Sequence, residues 1–211
     1  IMAMNLIVGQ SGGPTAVINS SLAGVYETAK NLGVNKVYGM LYGIEGLLQE
    51  KMVDLDDMLG DIMSIELLKR TPSSYLGSCR CKLPTPEQDE SVYDTLFRLF
   101  DKYEIGALLY IGGNDSMDTI AKLSAYGARI RSKVRFIGVP KTIDNDLMLT
   151  DHTPGYGSAA KYIATILKEV IADASVYDIR SVTVAEIMGR HAGWLAGAAC
   201  MAAGPDCDGP D

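Results

Sequence analysis

The chain alternates short apolar runs with longer amphipathic segments, and this alternation limits its fold more than any other feature of the sequence. Twice an apolar run is followed by a turn with adjacent glycines and then by a helical pattern, first over residues 5–32 and again over residues 107–126. Strands that alternate with helices predict an α/β fold. We therefore predict a Rossmann-like parallel sheet with helices on both faces, followed by the start of a second α/β domain.

Periodicity and turn residues locate the individual elements. The predicted strands cover residues 5–8, 36–41, 107–111, 134–139 and 181–187. The predicted helices cover residues 15–32, 55–68, 89–103, 117–126, 158–174 and 191–203. Residues 71–86 are rich in Ser, Gly and Pro and lack periodicity, which is typical of a loop.

The charge and cysteine content exclude several classes of protein. The formal net charge of −7 argues against nucleic acid or an anionic membrane as the main partner, although a local basic cluster can still hold an anionic substrate. No apolar run is long enough to cross a bilayer. The spacing of Cys79 and Cys81 fits neither a redox motif nor a zinc site. We therefore predict that the cysteines are reduced thiols of a cytoplasmic protein.

The two glycine turns are candidate anion sites. Gly12 and Gly13 in the first turn, and Gly112 and Gly113 in the second, let backbone amides approach an anion closely. The start of the following helix adds positive potential. The first turn matches neither the P-loop nor the dinucleotide-binding motif, and it can also be an ordinary strand–helix turn. Asp115 fits a helix N-cap equally well, but a cap does not explain the glycines before it.

A polar loop follows the strand predicted at residues 134–139. It carries Lys141, Thr142, Asp144 and Asp146 beyond the carboxyl end of that strand, where open α/β sheets bind their ligands. The two carboxylates are two residues apart and would point the same way in an extended loop. One could then take a proton while the other holds a metal or orients the first. The plain alternative is a solvated loop.

The loop at residues 71–86 carries Arg80 beside Gly77 and Ser78. A guanidinium offers a planar fork of donors that matches phosphate oxygens. Arg80 is therefore a candidate phosphate ligand, and a solvated basic turn is the alternative.

Taken in chain order, five short motifs resemble those of the phosphofructokinase family, in particular its pyrophosphate-dependent branch. They are Gly12-Gly13, Gly77-Ser78-Cys79-Arg80, residues 112–116, residues 140–146 and Met188-Gly189-Arg190. Each motif is modest alone, whereas five in one order are specific. The resemblance runs from Met4 to the end of the chain. It implies transfer of a phosphoryl group to the 1-hydroxyl of fructose 6-phosphate, a step of glycolysis, with Mg²⁺ as cofactor.

The resemblance also assigns roles to residues. Asp144 falls where the family has its general base, and Lys141 and Asp146 are the further catalytic residues. The implied contacts to the phosphoryl donor are Gly12, Gly13, Arg80, Gly113, Asp115 and Lys141. The implied contacts to the sugar phosphate are Thr142, Asp144, Met188, Gly189 and Arg190. Residues 4–150 then form an incomplete donor-binding domain, and residues 151–211 form the first part of a sugar-phosphate-binding domain.

Two positions indicate the donor. Family members that use ATP resemble one another in having glycine where this chain has Asp115 and Lys141, and the pyrophosphate users are similar to this chain. A carboxylate at Asp115 would occupy space near the α-phosphate of a nucleotide and repel its charge, while Lys141 would place a charge on the departing phosphate. We expect pyrophosphate as the donor, and an ATP-dependent 6-phosphofructokinase is the alternative.

Two departures from the family pattern bear on activity. The usual metal-binding aspartate is Asn114 here, so Mg²⁺ would be held more weakly, or by Asp115 and water. Family chains also run far past the end of this one. We therefore expect exposed apolar surface, little or no activity from these residues alone, and a homo-oligomer.

Two other functions remain open at this point. One is an ATP-dependent sugar or nucleotide kinase, because NAD and lipid kinases carry a similar Gly-Gly-Asp-Gly signal. The other is a non-catalytic binding or regulatory module of the same fold, since a fold alone does not give activity.

Overall fold

The computed structural model describes residues 4–210, which form two compact units. One unit ends at Lys141 and the other begins at Thr142, whereas the sequence placed the division after residue 150. The boundary is earlier because the polar loop after Lys141 hydrogen-bonds within the second unit. Thr142 N, for example, donates to Pro154 O at 3.2 Å.

The first unit is built on a five-stranded sheet. Its strands are β1 (Asn5–Gln10), β2 (Val37–Met40), β3 (Met52–Asp54), β4 (Ile105–Gly112) and β5 (Arg135–Pro140). Their order is β3-β2-β1-β4-β5, and every pair is parallel except β2 with β3. The predicted α/β class with a mostly parallel sheet is confirmed. The short antiparallel β3 was not predicted from the sequence.

Helices cover both faces of this sheet, as predicted. They are α1 (Ile18–Asn31), α2 (Gly43–Leu48), α3 (Leu55–Leu59), α4 (Ile62–Arg70), α5 (Glu90–Lys102) and α6 (Asn114–Arg129). Adjacent residues of β1 belong to different hydrophobic clusters. Ile7 packs in the cluster that contains Tyr93 of α5, and Val8 packs in the cluster that contains Leu22 of α1. Because successive strand residues point to opposite faces, the two clusters lie on opposite sides of the sheet.

Helix α5 illustrates how the sequence specifies these contacts. Asp89 caps the helix by accepting a hydrogen bond from Ser91 N at 3.1 Å. Tyr93, Leu96 and Phe100 recur at intervals of three or four residues, which places them on one helical face, and all three are buried. Burial of a leucine or phenylalanine side chain stabilises the fold by about 1.5–3 kcal/mol.

The single helix predicted over residues 55–68 is two helices, α3 and α4. Gly60 follows the last residue of α3, and Asp61 caps α4 by accepting a hydrogen bond from Ser64 N at 2.9 Å. A glycine followed by an N-cap aspartate ends one helix and starts the next. Apolar periodicity continues across this break, which is why the sequence pattern merged the two helices.

Strand β5 lies at the edge of the sheet and is not buried as predicted. Only β4 pairs with it, and each of its residues is either exposed or half-buried. Ile137, for example, is 46% exposed. An apolar, β-branched sequence indicates a strand, but it does not reveal whether a neighbour covers that strand.

The second unit contains helices α7 (Tyr156–Ala174) and α8 (Trp194–Ala198) and a short 3-10 helix (Ala199–Ala202). Its small apolar core contains Leu167, Ala199 and Ala202. The strand predicted at residues 181–187 is not formed, since no strand within residues 4–210 pairs with that segment. A strand needs a neighbour for its backbone N–H and C=O groups, and apolar character alone does not supply one.

Apolar side chains are exposed in both units, as expected from the sequence. Val182 and Val184 are 93% and 88% exposed in the second unit, and Ile62 on α4 is 78% exposed in the first. The four cysteines are free thiols. Among the residues that the structure describes, no helix combines the length and apolar character needed to cross a membrane.

Candidate active site

Lys141 connects the two glycine turns of the first unit. Its backbone N–H donates to Gly112 O at 3.0 Å, and its ammonium Nζ donates to Gly13 O at 2.6 Å. The residue is buried, with 4% of its surface exposed. The lysine follows β5, while the two turns follow β1 and β4, so one residue joins the carboxyl ends of three parallel strands. Ligands of open α/β sheets bind at this edge.

Gly12 makes room for the ammonium group. Its φ of +77° lies in the left-handed region that favours glycine, and a Cβ at this position would lie 3.1 Å from Lys141 Nζ. A Cβ on Gly13 would meet nothing within 4 Å. The first glycine therefore admits the lysine, and the second leaves open space beside the turn.

The second glycine turn is explained partly by the helix that follows it. Helix α6 begins at Asn114 rather than at residue 117, and Gly113 is its N-cap, without a side-chain hydrogen bond. The alternative that Asp115 caps the helix is therefore wrong. A Cβ on Gly112 would lie 1.9 Å from Ser116 Oγ, so a side chain of the helix, and not a ligand, excludes a larger residue there. Asn114 and Asp115 are exposed in the first helical turn.

Asp115 lies beside a basic loop. Lys82 Nζ is 3.8 Å from Asp115 Oδ1, and both side chains are exposed, so this pair contributes little to stability. The loop is held next to α6 by Lys122, whose Nζ donates to Leu83 O at 2.9 Å. The arrangement gives the start of α6 a carboxylate with a cation close to it.

The loop that carries Arg80 lies against the first glycine turn. Gly12 N donates to Cys79 O at 3.2 Å, and Ser78 Oγ donates to Gly12 O at 2.5 Å. Ser11 Oγ also donates to Cys79 O, at 3.2 Å. Arg80 follows directly and is exposed. Sequence reasoning named Arg80 but missed the linking role of Ser78, for which the only signal was its place in the Gly-Ser-Cys-Arg motif.

Below this loop, Cys79 and Tyr110 form a buried contact. Cys79 Sγ is 3.5 Å from Tyr110 Oη, which also accepts a hydrogen bond from Ile44 N at 3.3 Å. Burial raises the pKa of Tyr110 well above its ordinary value. Burial, together with the nearby Cys79, also raises the pKa of the Cys81 thiol. Cys81 is therefore not activated as a nucleophile, since the reactive form is the thiolate.

In the second unit, Asp144 belongs to a loop that is fixed by hydrogen bonds. Its backbone N–H donates to Thr142 Oγ1 at 3.1 Å. Asn145 spans the loop, because its Nδ2 donates to Asp151 O at 3.0 Å and its Oδ1 accepts from Thr153 N at 2.8 Å. Sequence reasoning missed Asn145 and Thr153, although asparagine is one of the few residues that tolerates a left-handed backbone such as its φ of +55°.

The two carboxylates of this loop have different surroundings. Asp144 is half-buried, and its Oδ1 is buried without a hydrogen-bond partner among residues 4–210. Such an oxygen is costly to leave unpaired and is therefore a ready acceptor for a ligand. Asp146 is exposed. Because the left-handed Asn145 separates them, the loop is not extended, and the extended-chain reason for expecting both carboxylates to point the same way does not apply.

Met188, Gly189 and Arg190 lie in an irregular segment of the second unit. Met188 lines a cavity of about 300 Å³ together with Ile143, the residue between Thr142 and Asp144. Most of the lining is apolar, so the cavity alone does not constitute a sugar-phosphate site. Gly189 and Arg190 are exposed. The structure therefore brings Met188 to the polar loop and leaves Arg190 at the surface.

The residues available for a metal are few. Within residues 4–210 no three His, Cys, Asp or Glu side chains cluster so that they could hold an ion. Mg²⁺ commonly takes only one or two protein ligands and completes its shell with water and substrate phosphates. The exposed amide oxygen of Asn114 and the carboxylate of Asp115 fit that mode of binding.

The chain matches known proteins over most of its length. Residues 5–207 match the family model described as Phosphofructokinase. The chain is similar to the pyrophosphate–fructose 6-phosphate 1-phosphotransferase of Xanthomonas campestris pv. campestris (strain B100), with 45% identity over 205 residues, which cover 96% of this chain and 48% of the relative. The protein of the same name from Methylococcus capsulatus is 41% identical over 209 residues, which cover 95% of this chain and 48% of the relative.

A solved structure gives the same result. The crystal structure of the pyrophosphate-dependent phosphofructokinase from Nitrosospira multiformis matches with a TM-score of 0.89 and 40% identity, over 99% of this chain and 52% of that one. The chain therefore spans about half the length of the curated relatives it matches. Since the family model covers almost all of its residues, this chain belongs to the phosphofructokinase family.

Proposed function

We propose that the first unit binds inorganic pyrophosphate, and that the protein transfers a phosphoryl group from it to the 1-hydroxyl of fructose 6-phosphate. The observation that carries this proposal is the position of Lys141, which hydrogen-bonds to both glycine turns and so gathers them around one ammonium group. The names of the similar proteins support the same donor. The activity would be that of a diphosphate–fructose-6-phosphate 1-phosphotransferase.

The donor would be held by charge and by position. Phosphoryl transfer needs charge neutralisation and alignment more than covalent help. Lys141 can keep its bond to Gly13 O and still bind a phosphate oxygen, because an ammonium has three N–H donors. Arg80 would add a fork of donors from the neighbouring loop. The Gly12 amide already donates to Cys79 O, so this glycine contributes space, and Gly13 and Gly113 would face the diphosphate.

Asp144 is the proposed general base. Its Oδ1 is buried and has no partner among residues 4–210, so it can accept the proton of the sugar 1-hydroxyl as that oxygen attacks phosphorus. Thr142, which accepts a hydrogen bond from the Asp144 amide, and Asp146 would orient the base and contact the sugar. The sugar phosphate itself would be bound through Met188, Gly189 and Arg190.

Mg²⁺ is the proposed cofactor, and Asp115 and Asn114 would hold it together with phosphate oxygens. When bound, the ion would neutralise charge that develops on the diphosphate. The Asn114 oxygen carries no charge. We therefore expect metal affinity to be low without pyrophosphate and to rise when pyrophosphate is present.

Asp115 is the proposed determinant of the donor. Its carboxylate would take up space and repel a nucleotide at its α-phosphate. A carboxylate also repels pyrophosphate, and Lys82, at 3.8 Å, would offset part of that repulsion.

The test compares pyrophosphate and ATP binding by calorimetry in the unsubstituted chain and in a variant with both Asp115→Gly and Lys141→Gly. Loss of charge-assisted hydrogen bonds should weaken pyrophosphate binding by about 10–100-fold, with ATP binding unchanged or stronger. Lys133→Gly, at an exposed lysine just before β5, is the control for the loss of a lysine charge. An unchanged preference between the two donors would refute the roles of Asp115 and Lys141, and a preference for ATP in the unsubstituted chain would favour the ATP-dependent alternative.

Turnover is proposed to need more than these residues. The chain spans about half the length of its relatives, and Val182 and Val184 of the second unit are almost fully exposed. We expect the 211-residue chain to bind pyrophosphate but to phosphorylate fructose 6-phosphate slowly or not at all. Rapid turnover in a coupled assay would overturn this expectation. A homo-oligomer and a cytoplasmic location also stay predictions.

A further inference from the structure

The side chain of Gln10, the last residue of β1, is completely buried and makes four hydrogen bonds. Its Nε2 donates to Ile18 O at 3.1 Å and to Asn19 Oδ1 at 3.0 Å. Its Oε1 accepts from Ser74 Oγ at 3.1 Å and from Leu76 N at 2.9 Å. These four bonds use the whole donor and acceptor capacity of a carboxamide.

Asn19, in the first turn of α1, extends this network. It is 1% exposed, and its Nδ2 donates to Thr71 O at 2.9 Å. Its Oδ1 accepts from Tyr75 N at 2.8 Å as well as from Gln10. Gln10 and Asn19 together hold the backbone of residues 71–76 against the end of β1 and the start of α1. We call this set of hydrogen bonds the carboxamide bridge.

The bridge fixes the loop that leads to Arg80. From its anchored start the loop passes through Ser74, whose single hydroxyl hydrogen is shared between Gly77 O at 2.6 Å and Gln10 Oε1 at 3.1 Å. It then reaches Ser78 and Cys79, which bind Gly12 as described above. Gln10 is also only two residues before Gly12. The side chain of Gln10 therefore binds the loop that carries the arginine, and its backbone leads directly into the glycine turn.

The ordinary alternative is that the bridge serves stability alone, as a fully paired buried network can. Two features favour a role in the site. The bridge joins segments more than fifty residues apart along the chain, and both of these segments carry proposed donor contacts. The loop itself has no regular secondary structure over residues 71–86 apart from turns, so its position depends on such side-chain contacts.

We propose that Gln10 and Asn19 are positioning residues for the phosphoryl donor, and that they act by setting the distance between the Gly12–Gly13 turn and Arg80. This inference rests on the proposed function, because it concerns how that pyrophosphate site is held. A positioning residue of this kind acts only through the group that it places. Its contribution to binding should therefore disappear when that group is removed.

The test is a double-mutant cycle with Asn19→Ala and Arg80→Ala, read out as pyrophosphate affinity by calorimetry. We expect each single variant to bind pyrophosphate about tenfold more weakly. The double variant should be within twofold of Arg80→Ala alone, because the bridge acts through the arginine. Multiplicative losses, or an unchanged affinity in Asn19→Ala, would overturn the inference.

A second readout is the exchange of the Gly12 amide, which donates to Cys79 O. This amide does not contact Asn19, and a merely local role would leave its exchange rate unchanged. We expect exchange to be about tenfold faster in Asn19→Ala, because a displaced loop no longer protects it. Unchanged exchange would contradict a positioning role.

Two further controls keep the outcomes separate. If Asn19→Ala does not fold, Ser74→Ala replaces it. This change removes only one hydroxyl group, which donates to Gln10 Oε1 and Gly77 O. We expect a two- to threefold loss of affinity in that variant, and none would count against the inference. If the unsubstituted chain does not bind pyrophosphate, the proposed function fails and this inference fails with it. If it binds and the Asn19 and Ser74 variants bind equally well, only the inference fails.

Discussion

The first unit buries its apolar side chains in two clusters on opposite faces of a five-stranded sheet, whereas the second unit has a small core around Leu167, Ala199 and Ala202. The site residues of the two units also differ in how many hydrogen bonds hold them in place. In the first unit, Lys141 and the loop before Arg80 are tied to the glycine turns by several hydrogen bonds. In the second unit, hydrogen bonds hold the loop around Asp144, whereas residues 181–190 are irregular and, apart from the half-buried Ile187, exposed.

This contrast separates two parts of the proposed reaction. All proposed donor contacts lie in the first unit, where the sheet fixes the strand ends that carry them. The proposed base lies in a fixed loop of the second unit, but the proposed sugar-phosphate contacts at Met188, Gly189 and Arg190 have no regular element to place them. We therefore expect donor binding to be largely a property of the first unit and turnover to depend on further structure.

The largest expected effect concerns the proposed base. Asp144→Asn should lower turnover by about 10²–10⁴-fold, because an amide cannot accept the proton of the sugar hydroxyl. The measurement is kcat in a protein that joins this chain to the further length found in its relatives. Asp151→Asn, at an exposed carboxylate of the same loop, is the matched control and should keep its activity. Activity within twofold in Asp144→Asn would remove Asp144 from the mechanism, and pyrophosphate binding should be unaffected in both variants.

The next prediction compares the hydrogen-exchange rates of backbone amides in the two units. Amides of β1 and β4, which lie in the middle of the sheet, should exchange only through global unfolding. Amides of residues 182–187 lack a partner strand among the described residues and should exchange within about tenfold of the unfolded chain. Strong protection of residues 182–187 would show that the second unit is ordered by contacts other than those described, and the contrast between the units would then be wrong.

The smallest effect concerns a polar cluster on the first unit. Tyr26 Oη donates to Asp56 Oδ1 at 2.8 Å, and Lys30 Nζ donates to Asp56 Oδ2 at 2.8 Å. Tyr26→Phe should lower the free energy of unfolding by about 0.5–1.5 kcal/mol, as expected for one hydrogen bond. Tyr177→Phe, at an exposed tyrosine of the second unit, should have no effect.

The same substitution has a predictable pH dependence. Burial, followed by the hydrogen bond to Asp56, raises the pKa of Tyr26 to about 12. A raised pKa in the folded state means that the contribution of Tyr26 is complete below its ordinary pKa of about 10, and is lost as the pH rises through its folded value. Unfolding measured between pH 10 and pH 12 should therefore show a smaller loss of stability in Tyr26→Phe than in the unsubstituted chain. An equal loss in both would assign the alkaline sensitivity to other groups.

The sequence predicted the first unit well because its elements are specified locally. The spacing of Tyr93, Leu96 and Phe100 predicts which face of α5 is buried. The glycines before α1 and α6 indicate where β1 and β4 end. Predictions failed where neighbours decide the outcome. Residues 134–139 and 181–187 have similar apolar composition, yet the first is an edge strand and the second is no strand, because only the first has a pairing partner among the described residues.

The sequence named residues for the candidate site but could not predict the contacts between them. Motif position identified Lys141, Arg80 and Asp144. It did not reveal that Lys141 binds Gly13 O, or that Gln10 and Asn19 hold the arginine loop, because those contacts join segments distant along the chain. A polar residue at the end of a strand or in the first turn of a helix is too common to indicate such a role without coordinates.

The two glycine turns and Lys141 are proposed to form one pyrophosphate site, and the other proposed roles depend on it. The most direct measurement is a crystal structure of the chain soaked with pyrophosphate and Mg²⁺. We predict density for the diphosphate between Gly13, Arg80 and Asp115, with an oxygen within about 3.2 Å of Lys141 Nζ. Diphosphate bound elsewhere, with the Lys141 ammonium still directed only into the protein, would contradict the account.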